Sequence, residues 1–179
     1  GSLGVLSFNG NKILTTGGGG CVISNNSKAI DYVRHLAATA KLPVPFRYQH
    51  DEIGFNYRMP SLNAALGLAQ LERLDDTLLK KQRLYERYRS AFCKHPVVQV
   101  ITAPPSSKSN FWLQGLLFSE QYADLSPLVL KEANSQGIEC RAIWDCLHTM
   151  KPYLDFPSDR ISIATNLQRR IINEPSNCL

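Results

Sequence analysis

Apolar positions fall into short runs at the start of the sequence and into helical stripes towards its middle. Leu3 to Phe8 is a short apolar run bounded by glycine, the pattern of a buried strand. Residues 9 to 20 have no period, because Gly10 and Gly17 to Gly20 keep interrupting it. Cys21 to Ser24 predicts a second strand, after which Asn25, Asn26 and Ser27 offer caps for a helix carrying Ile30, Val33, Leu36 and Ala37 on one face. From Lys41 to Met59 the pattern is that of a loop, with Pro43 and Pro45 close together and then HDEIGFNYRMP. Pro60 and Ser61 open a stronger helix, in which Leu62, Ala65, Leu66, Ala69 and Leu74 recur at helical spacing. A second amphipathic helix, from about Asp76 to Cys93, brings Leu79, Leu84, Tyr88 and Phe92 onto one stripe and leaves its basic residues on solvated outer faces.

The pattern changes at His95-Pro96. Val97 to Ile101 predicts a strand, TAPPSSKS an exposed connection, and Asn110 to Phe118 a longer apolar strand. Leu125 to Gln136 predicts a helix closed by Gly137, with Ile138 and Glu139 opening another extended piece. Strand, strand, helix, strand makes a small α/β unit from residue 96 onward. The remainder holds Trp144, His148, Pro152 and Tyr153, then ISIATNLQRRIINEPS, whose central part reads as helix; no internal repeat is present.

A length of 179 residues suits one medium domain, or a small domain with an appended helical segment, and allows a true hydrophobic core. Twenty basic and fifteen acidic residues give a formal charge of +5, but the signs are mixed along the chain. That balance describes ordinary solvated surface. It is no nucleic-acid footprint, although nucleotides, phosphates and sugar nucleotides are compatible with it. Cys21, Cys93, Cys140, Cys146 and Cys178 are odd in number and lack zinc or redox spacing, so free thiols in a reducing compartment and no metal site are expected. With no charged-then-apolar leader and no membrane-length apolar run, the expectation is a soluble cytoplasmic chain without membrane partners. Gly1 and Ser2 in place of an initiator methionine fit a piece of a longer protein.

The chemistry-bearing stretch is SFNGNKILTTGGGG, residues 7 to 20. A lysine on a glycine-rich loop after a buried strand can serve as a point charge for phosphate. It can also serve as an amine that condenses with a carbonyl, which demands a fixed approach. The nucleotide-binding loop has the opposite order, with its glycines before the lysine and a hydroxyl directly after it. The plain alternative is a surface lysine beside a flexible turn. Four consecutive glycines cost backbone entropy, which invites close backbone approach as their explanation.

SFNGNKILTTGGGG closely resembles the lysine segment of the DegT/DnrJ/EryC1/StrS family of sugar aminotransferases, pyridoxal-phosphate enzymes of fold type I. The likeness continues through HDEIGFNYRMPSLNAALGLAQLERLD, residues 50 to 75, and covers most of the chain more loosely. SNFWLQ and GIECRAIWDCLHTMKPY resemble the branch acting on nucleotide-linked 4-keto-6-deoxy amino sugars of the bacillosamine and legionaminic-acid type. Many relatives have an acidic residue where this chain has Gly18, while four glycines are typical of the nearer branch.

The resemblance implies roles for particular positions. Lys12 matches the lysine that condenses with pyridoxal 5'-phosphate and shuttles the substrate proton. Ser7 matches the hydroxyl that binds the cofactor phosphate, and Asn56 a residue that reaches the phosphate of the neighbouring subunit of a homodimer. Arg58 falls where a basic side chain meets the anionic part of substrate or cofactor. For Ser7, Asn56 and Arg58 the bland alternatives are a strand-end hydroxyl and a polar loop closed on itself. Trp144 is assigned to the sugar by aromatic stacking, with a core position as its alternative. His50 reads as loop surface or an indirect contact, and His148 receives no role.

The implied fold is α/β, the C-terminal part of a fold-type I transferase. Residues 1–60 would be a remnant of the large cofactor domain, 61–95 bridging helices, and 96–179 a small C-terminal α/β domain. The implied reaction is amino transfer, from glutamate, to a 4-keto-6-deoxy sugar nucleotide. A complete member carries a further N-terminal half, with the phosphate-binding amides, the ring stacked on the pyridine and the carboxylate paired with its nitrogen. The chain is therefore expected to be truncated, to expose apolar faces of Leu3 to Phe8 and of the 61–74 helix, and to dimerise. The alternative is a non-catalytic, orphaned C-terminal domain that self-associates or binds a partner; a sugar-nucleotide-binding module without cofactor is a third reading.

Overall fold

A computed structural model describes residues 1–159 and 161–177; Cys178 lies outside the described residues. The chain forms two compact units that divide between Asp75 and Asp76.

In the first unit, β1 (Gly4–Ser7) and β2 (Gly20–Ile23) pair antiparallel, with Ser7 opposite Gly20 and Gly4 opposite Ile23. The patternless stretch is thus the connection of a hairpin. Helix α1 (Ser27–Ala37) starts at Asn26, whose side-chain oxygen accepts from the Ala29 amide at 3.2 Å. Helix ends leave carbonyls without partners, and here the following loop supplies them. Ala38 N–H donates to the Arg34 and His35 carbonyls, Phe55 N–H to Leu36 at 2.7 Å, and Tyr57 N–H to Ala37 at 2.9 Å. The loop from Ala38 to Met59 therefore folds back along the end of α1, with isolated bridges Ala38 to Asn56 and Lys41 to His50. Helix α2 (Ser61–Glu72) follows Pro60.

The second unit is built from α3 (Leu74–Phe92) from Asp76 onward, β3 (Val98–Val100), β4 (Gln114–Phe118), α4 (Leu125–Ser135), β5 (Arg141–Ala142), α5 (Ser162–Gln168) and β6 (Ile171–Glu174). Its four strands form an antiparallel sheet in the order β3-β4-β6-β5. Val98, Leu116, Phe118 and Ile172 make its core, with Phe92 of α3 and Leu130 of α4 packed against it. Among the described residues no helix is long and apolar enough to cross a membrane.

Several sequence-based expectations change here. The stretch ISIATNLQRRIINEPS is not one helix with tails: α5 ends at Gln168 and Ile171–Glu174 is an inner strand, with Ile172 facing Leu116 on one side and Ala142 on the other. The strand expected from Asn110 begins only at Gln114. Ser109 Oγ takes the Phe111 amide and Asn110 Oδ1 the Trp112 amide, and Phe111 sits at φ +54°. Extended pairing starts at Arg141, not at Ile138. On α3, Leu79 is exposed while Lys81, expected on a solvated face, is buried because its ammonium donates to two backbone carbonyls. Cys21, Cys93, Cys140 and Cys146 are unpaired thiols.

Candidate active site

Lys12 sits on the connection between β1 and β2, and the fixing of that connection follows from its sequence. Phe8 N–H donates to the Gly19 carbonyl at 2.9 Å, extending the hairpin one step beyond Ser7. The Phe8 carbonyl then accepts twice, from Thr16 N–H and from Thr15 Oγ1, each at 3.0 Å. Asn9 to Lys12 forms a turn closed by Lys12 N–H to the Asn9 carbonyl at 3.0 Å. Lys12 is partly buried, so its side chain leaves a pinned backbone and not a free tip.

The glycine run has a structural use. Gly17 and Gly19 have φ of +77° and +106°, a region that side-chain-bearing residues avoid. A Cβ on Gly20 would lie 2.5 Å from the Leu6 carbonyl oxygen, so the second strand can approach the first only with glycine there. A Cβ on Gly10 or Gly18 would meet nothing within 4 Å, which marks an open side of the loop.

Ser7 ends β1 with its side chain exposed, and its oxygen accepts from the Asn9 amide at 3.4 Å, which leaves its hydroxyl proton available. Asn56 lies in the segment clipped to the end of α1. The period of extended backbone puts it on the other side from Phe55 and Tyr57, whose rings stack at 5.2 Å. Arg58 follows two residues later and is exposed. Ser7, Lys12, Asn56 and Arg58 therefore all belong to the first unit. Trp144 belongs to the second; it is 66% exposed and its ring lies tilted beside Trp112 at 6.0 Å, so it is not a core residue.

Three residues absent from the sequence-based reading complete the lysine loop: Thr16, Asn63 and Gly67. Thr16 is 2% exposed, and Asn63 Nδ2 donates to its carbonyl at 2.6 Å. A Cβ on Gly67 would come 2.7 Å from Thr16 Cγ2. Their only signal in the sequence is an Asn and a Gly four positions apart inside a helix, which places both on one face. That face of α2 meets the loop, while Leu62, Leu66, Leu68 and Leu71 are exposed.

A second cluster ties α1 to the loop that bears Asn56. His35 Nε2 is 2.6 Å from Asp51 Oδ1, and Tyr32 OH donates to Glu52 Oε2 at 2.8 Å. The hydrogen bond from His35 holds the Asp51 carboxyl below its ordinary range, and the bond to Glu52 holds the Tyr32 hydroxyl above its own. His35, Asp51 and Glu52 put one ligand atom each within 4.8 Å of one another, but His35 Nε2 and Asp51 Oδ1 are engaged with each other. His50 Nδ1 contacts the Thr39 carbonyl at 2.7 Å, a backbone-holding role. In the second unit, Tyr85, Phe111, Gln114 and Asn173 border an open cleft of about 280 Å³.

The structure thus places the Ser7 hydroxyl at the end of β1 and Lys12 five residues later on the connection that β1 enters.

Comparison with known proteins gives a consistent result. The DegT/DnrJ/EryC1/StrS aminotransferase family matches residues 1–178. The Bacillus subtilis protein EpsN is 39% identical over 182 residues, covering 98% of this chain and 46% of its own length. A GDP-perosamine synthase of Caulobacter vibrioides is 34% identical over 170 residues, covering 92% of this chain and 45% of its own. Helicobacter pylori PseC, an aminotransferase involved in pseudoaminic acid biosynthesis, superposes with a TM-score of 0.90 at 23% identity, over 97% of this chain and 47% of that one. The α/β fold is that of fold-type I pyridoxal-phosphate-dependent aminotransferases. The cofactor of that family is pyridoxal 5'-phosphate. The chain spans less than half the length of the curated relatives named here.

Proposed function

Because this chain belongs to the DegT/DnrJ/EryC1/StrS aminotransferase family, we propose that it forms the lysine-bearing part of a pyridoxal-phosphate-dependent enzyme that transfers an amino group to a sugar nucleotide. The observation that carries this reading is the pinned hairpin loop, which presents Lys12 beside an open face five residues beyond the exposed Ser7 hydroxyl.

In this reading the Lys12 amine would hold the cofactor through its aldehyde carbon, with loss of water, and, once a substrate amine had taken its place there, the freed Nζ would take and return the substrate proton. The cofactor, when bound, supplies an electron sink through its ring. The Ser7 hydroxyl donates to the phosphate of the cofactor. Asn56 donates to the phosphate bound by a second copy, which makes a homodimer the working unit. Arg58 meets an anionic group of the substrate, and exposed Trp144 offers a ring face to the sugar. We assign residues 1–60 to the large cofactor domain, 61–95 to bridging helices and 96–179 to the small domain. The amino donor is glutamate. The acceptor is a 4-keto-6-deoxy sugar nucleotide of the bacillosamine or legionaminic-acid type, a choice supported by the SNFWLQ and GIECRAIWDCLHTMKPY stretches. GDP-perosamine synthase and PseC, similar to this chain, support an amino-sugar product in general. The unpaired thiols suit a cytoplasmic setting.

Adding pyridoxal phosphate to the protein tests the reading. The yellow absorbance of pyridoxal bound to lysine is expected, and it should vanish in Lys12→Ala. No such band in the unaltered protein would remove the enzyme reading from this chain, and a band that survives Lys12→Ala would move the chemistry to another lysine. The exposed leucines of α2 favour a second reading, a non-catalytic domain that self-associates or binds a partner. It expects no lysine-dependent band.

A further inference from the structure

We propose that Asn63 is a positioning residue for Lys12, acting through the backbone of Thr16. The inference rests on the reading of Lys12 as the reacting amine, and adds the device that sets where that amine can reach.

The loop leaves the β1–β2 ladder at Phe8 and returns at Thr16, and Phe8 holds the returning strand through its carbonyl. Those bonds lie within the hairpin. From outside the hairpin, Asn63 Nδ2 donates to the Thr16 carbonyl at 2.6 Å and ties the loop to α2. Thr16 is 2% exposed, so water has poor access to take the place of a lost donor. Gly67, one turn further along α2, lets the helix come close enough for this bond, since a Cβ there would lie 2.7 Å from Thr16 Cγ2. One helix face thus holds both the carbonyl and the methyl of a single loop residue.

Lys12 is four residues before Thr16, between the turn closed on Asn9 and this anchor. Releasing the anchor leaves that end of the segment to the Phe8 bonds, without its tie to α2. Reactions that depend on a held geometry are sensitive to displacements of about 1 Å. A hydrogen bond far from the reacting atoms therefore controls how often the amine is in place.

Asn63→Asp tests this with the same side-chain shape, no donor above its own pKa, and an acidic residue in the first turn, where it favours the helix. Hydrogen exchange of the Phe8 and Thr16 amides, and reductive labelling of lysines with pyridoxal phosphate and borohydride mapped by peptide mass spectrometry, are the two readouts. At neutral pH, Asn63→Asp is expected to raise exchange about tenfold and to lower the share of label on Lys12 by a similar factor, with α1 amides unchanged. Asn63→Gln, which keeps the donor, should restore much of both. Gly67→Ala should loosen the loop in the same way by pushing on Thr16, and Thr16→Ser, which deletes the methyl, should relieve it. Wild-type labelling of Lys12 with an unchanged Asn63→Asp profile would overturn the positioning role alone. A wild-type Lys12 that labels no faster than surface lysines would overturn the positioning role and the proposed enzyme function together.

Discussion

Cys140 and Glu174 show what burial does to single ionisable groups in this protein. Cys140 is buried and its Sγ–H donates to Glu174 Oε2 at 3.4 Å. Burial, then the nearby Glu174 charge and hydrogen bond, pushes the Cys140 thiol up to about 11. Burial also raises the Glu174 carboxyl, with the thiol hydrogen bond acting weakly the other way. A carboxyl raised in the folded state keeps its proton while the unfolded chain has already lost its own. The Glu174 contribution is therefore most favourable below the ordinary value of 4.5 and is lost as pH rises through the raised folded value. Glu174→Gln is expected to remove that loss. Thermal melting at about pH 4 and about pH 7 should show a smaller gap between the two than in the wild type; an unchanged gap would mean that Glu174 is solvated. The thiol behaves alike at higher pH, with stability lost between 9.0 and about 11.

At the scale of elements, α3 is held by polar side-chain ends that find backbone carbonyls as well as by its apolar packing. Lys81, Tyr85 and Tyr88 fall at positions i, i+4 and i+7, on one helix face. Lys81 Nζ donates to the Trp112 carbonyl at 3.1 Å and also to the Ser176 carbonyl. The Tyr85 ring stacks on Phe111 at 4.6 Å, and Tyr88 OH donates to the Pro175 carbonyl at 3.0 Å. The helix thus clamps the entry to β4 and the exit from β6, the two inner strands. Lys81→Met keeps the aliphatic stem but removes the donors, and is expected to cost about 2–3 kcal/mol in urea unfolding followed by tryptophan fluorescence. A cost within about 0.5 kcal/mol, the range of ordinary surface changes, would show that water replaces the ammonium.

At the scale of the whole molecule, the exposed apolar surface of the first unit matters most. Leu62 is 84% exposed, and Leu68 and Leu71 also stand out from α2, the helix whose Asn63 meets the lysine loop. The strand β1 exposes Val5 and Leu6. Apolar side chains grouped in this way favour association. Sedimentation velocity is expected to show self-association that grows with concentration and weakens in Leu68→Asp. A monomer at every concentration would remove the homodimer from the proposed function.

The sequence by itself determined the elements whose signals are local: the hairpin strands flanking the glycine run, although β1 is exposed at Val5 and Leu6 where the pattern predicts a buried strand, α1 with its Asn26 cap, the start of α2 at Ser61, and α4 ahead of Gly137. It also drew attention to Lys12, since a lysine set between a strand and a glycine run is visible without knowing what lies opposite, whereas Ser7 entered only through the family resemblance. Tertiary structure decided the rest. Ile171–Glu174 became an inner strand because β4 and β5 pair with its two edges, whereas RRIINEPS has no breaker to separate it from the helix before it. Asn63 and Gly67 carry their meaning only through Thr16, 47 residues away in sequence from Asn63. Lys81 has the sequence context of a surface charge, and only the fold brings two distant carbonyls to its ammonium. Local pattern reports backbone preference and the identity of reactive groups; contacts between distant segments decide which of them are buried, paired and held in place.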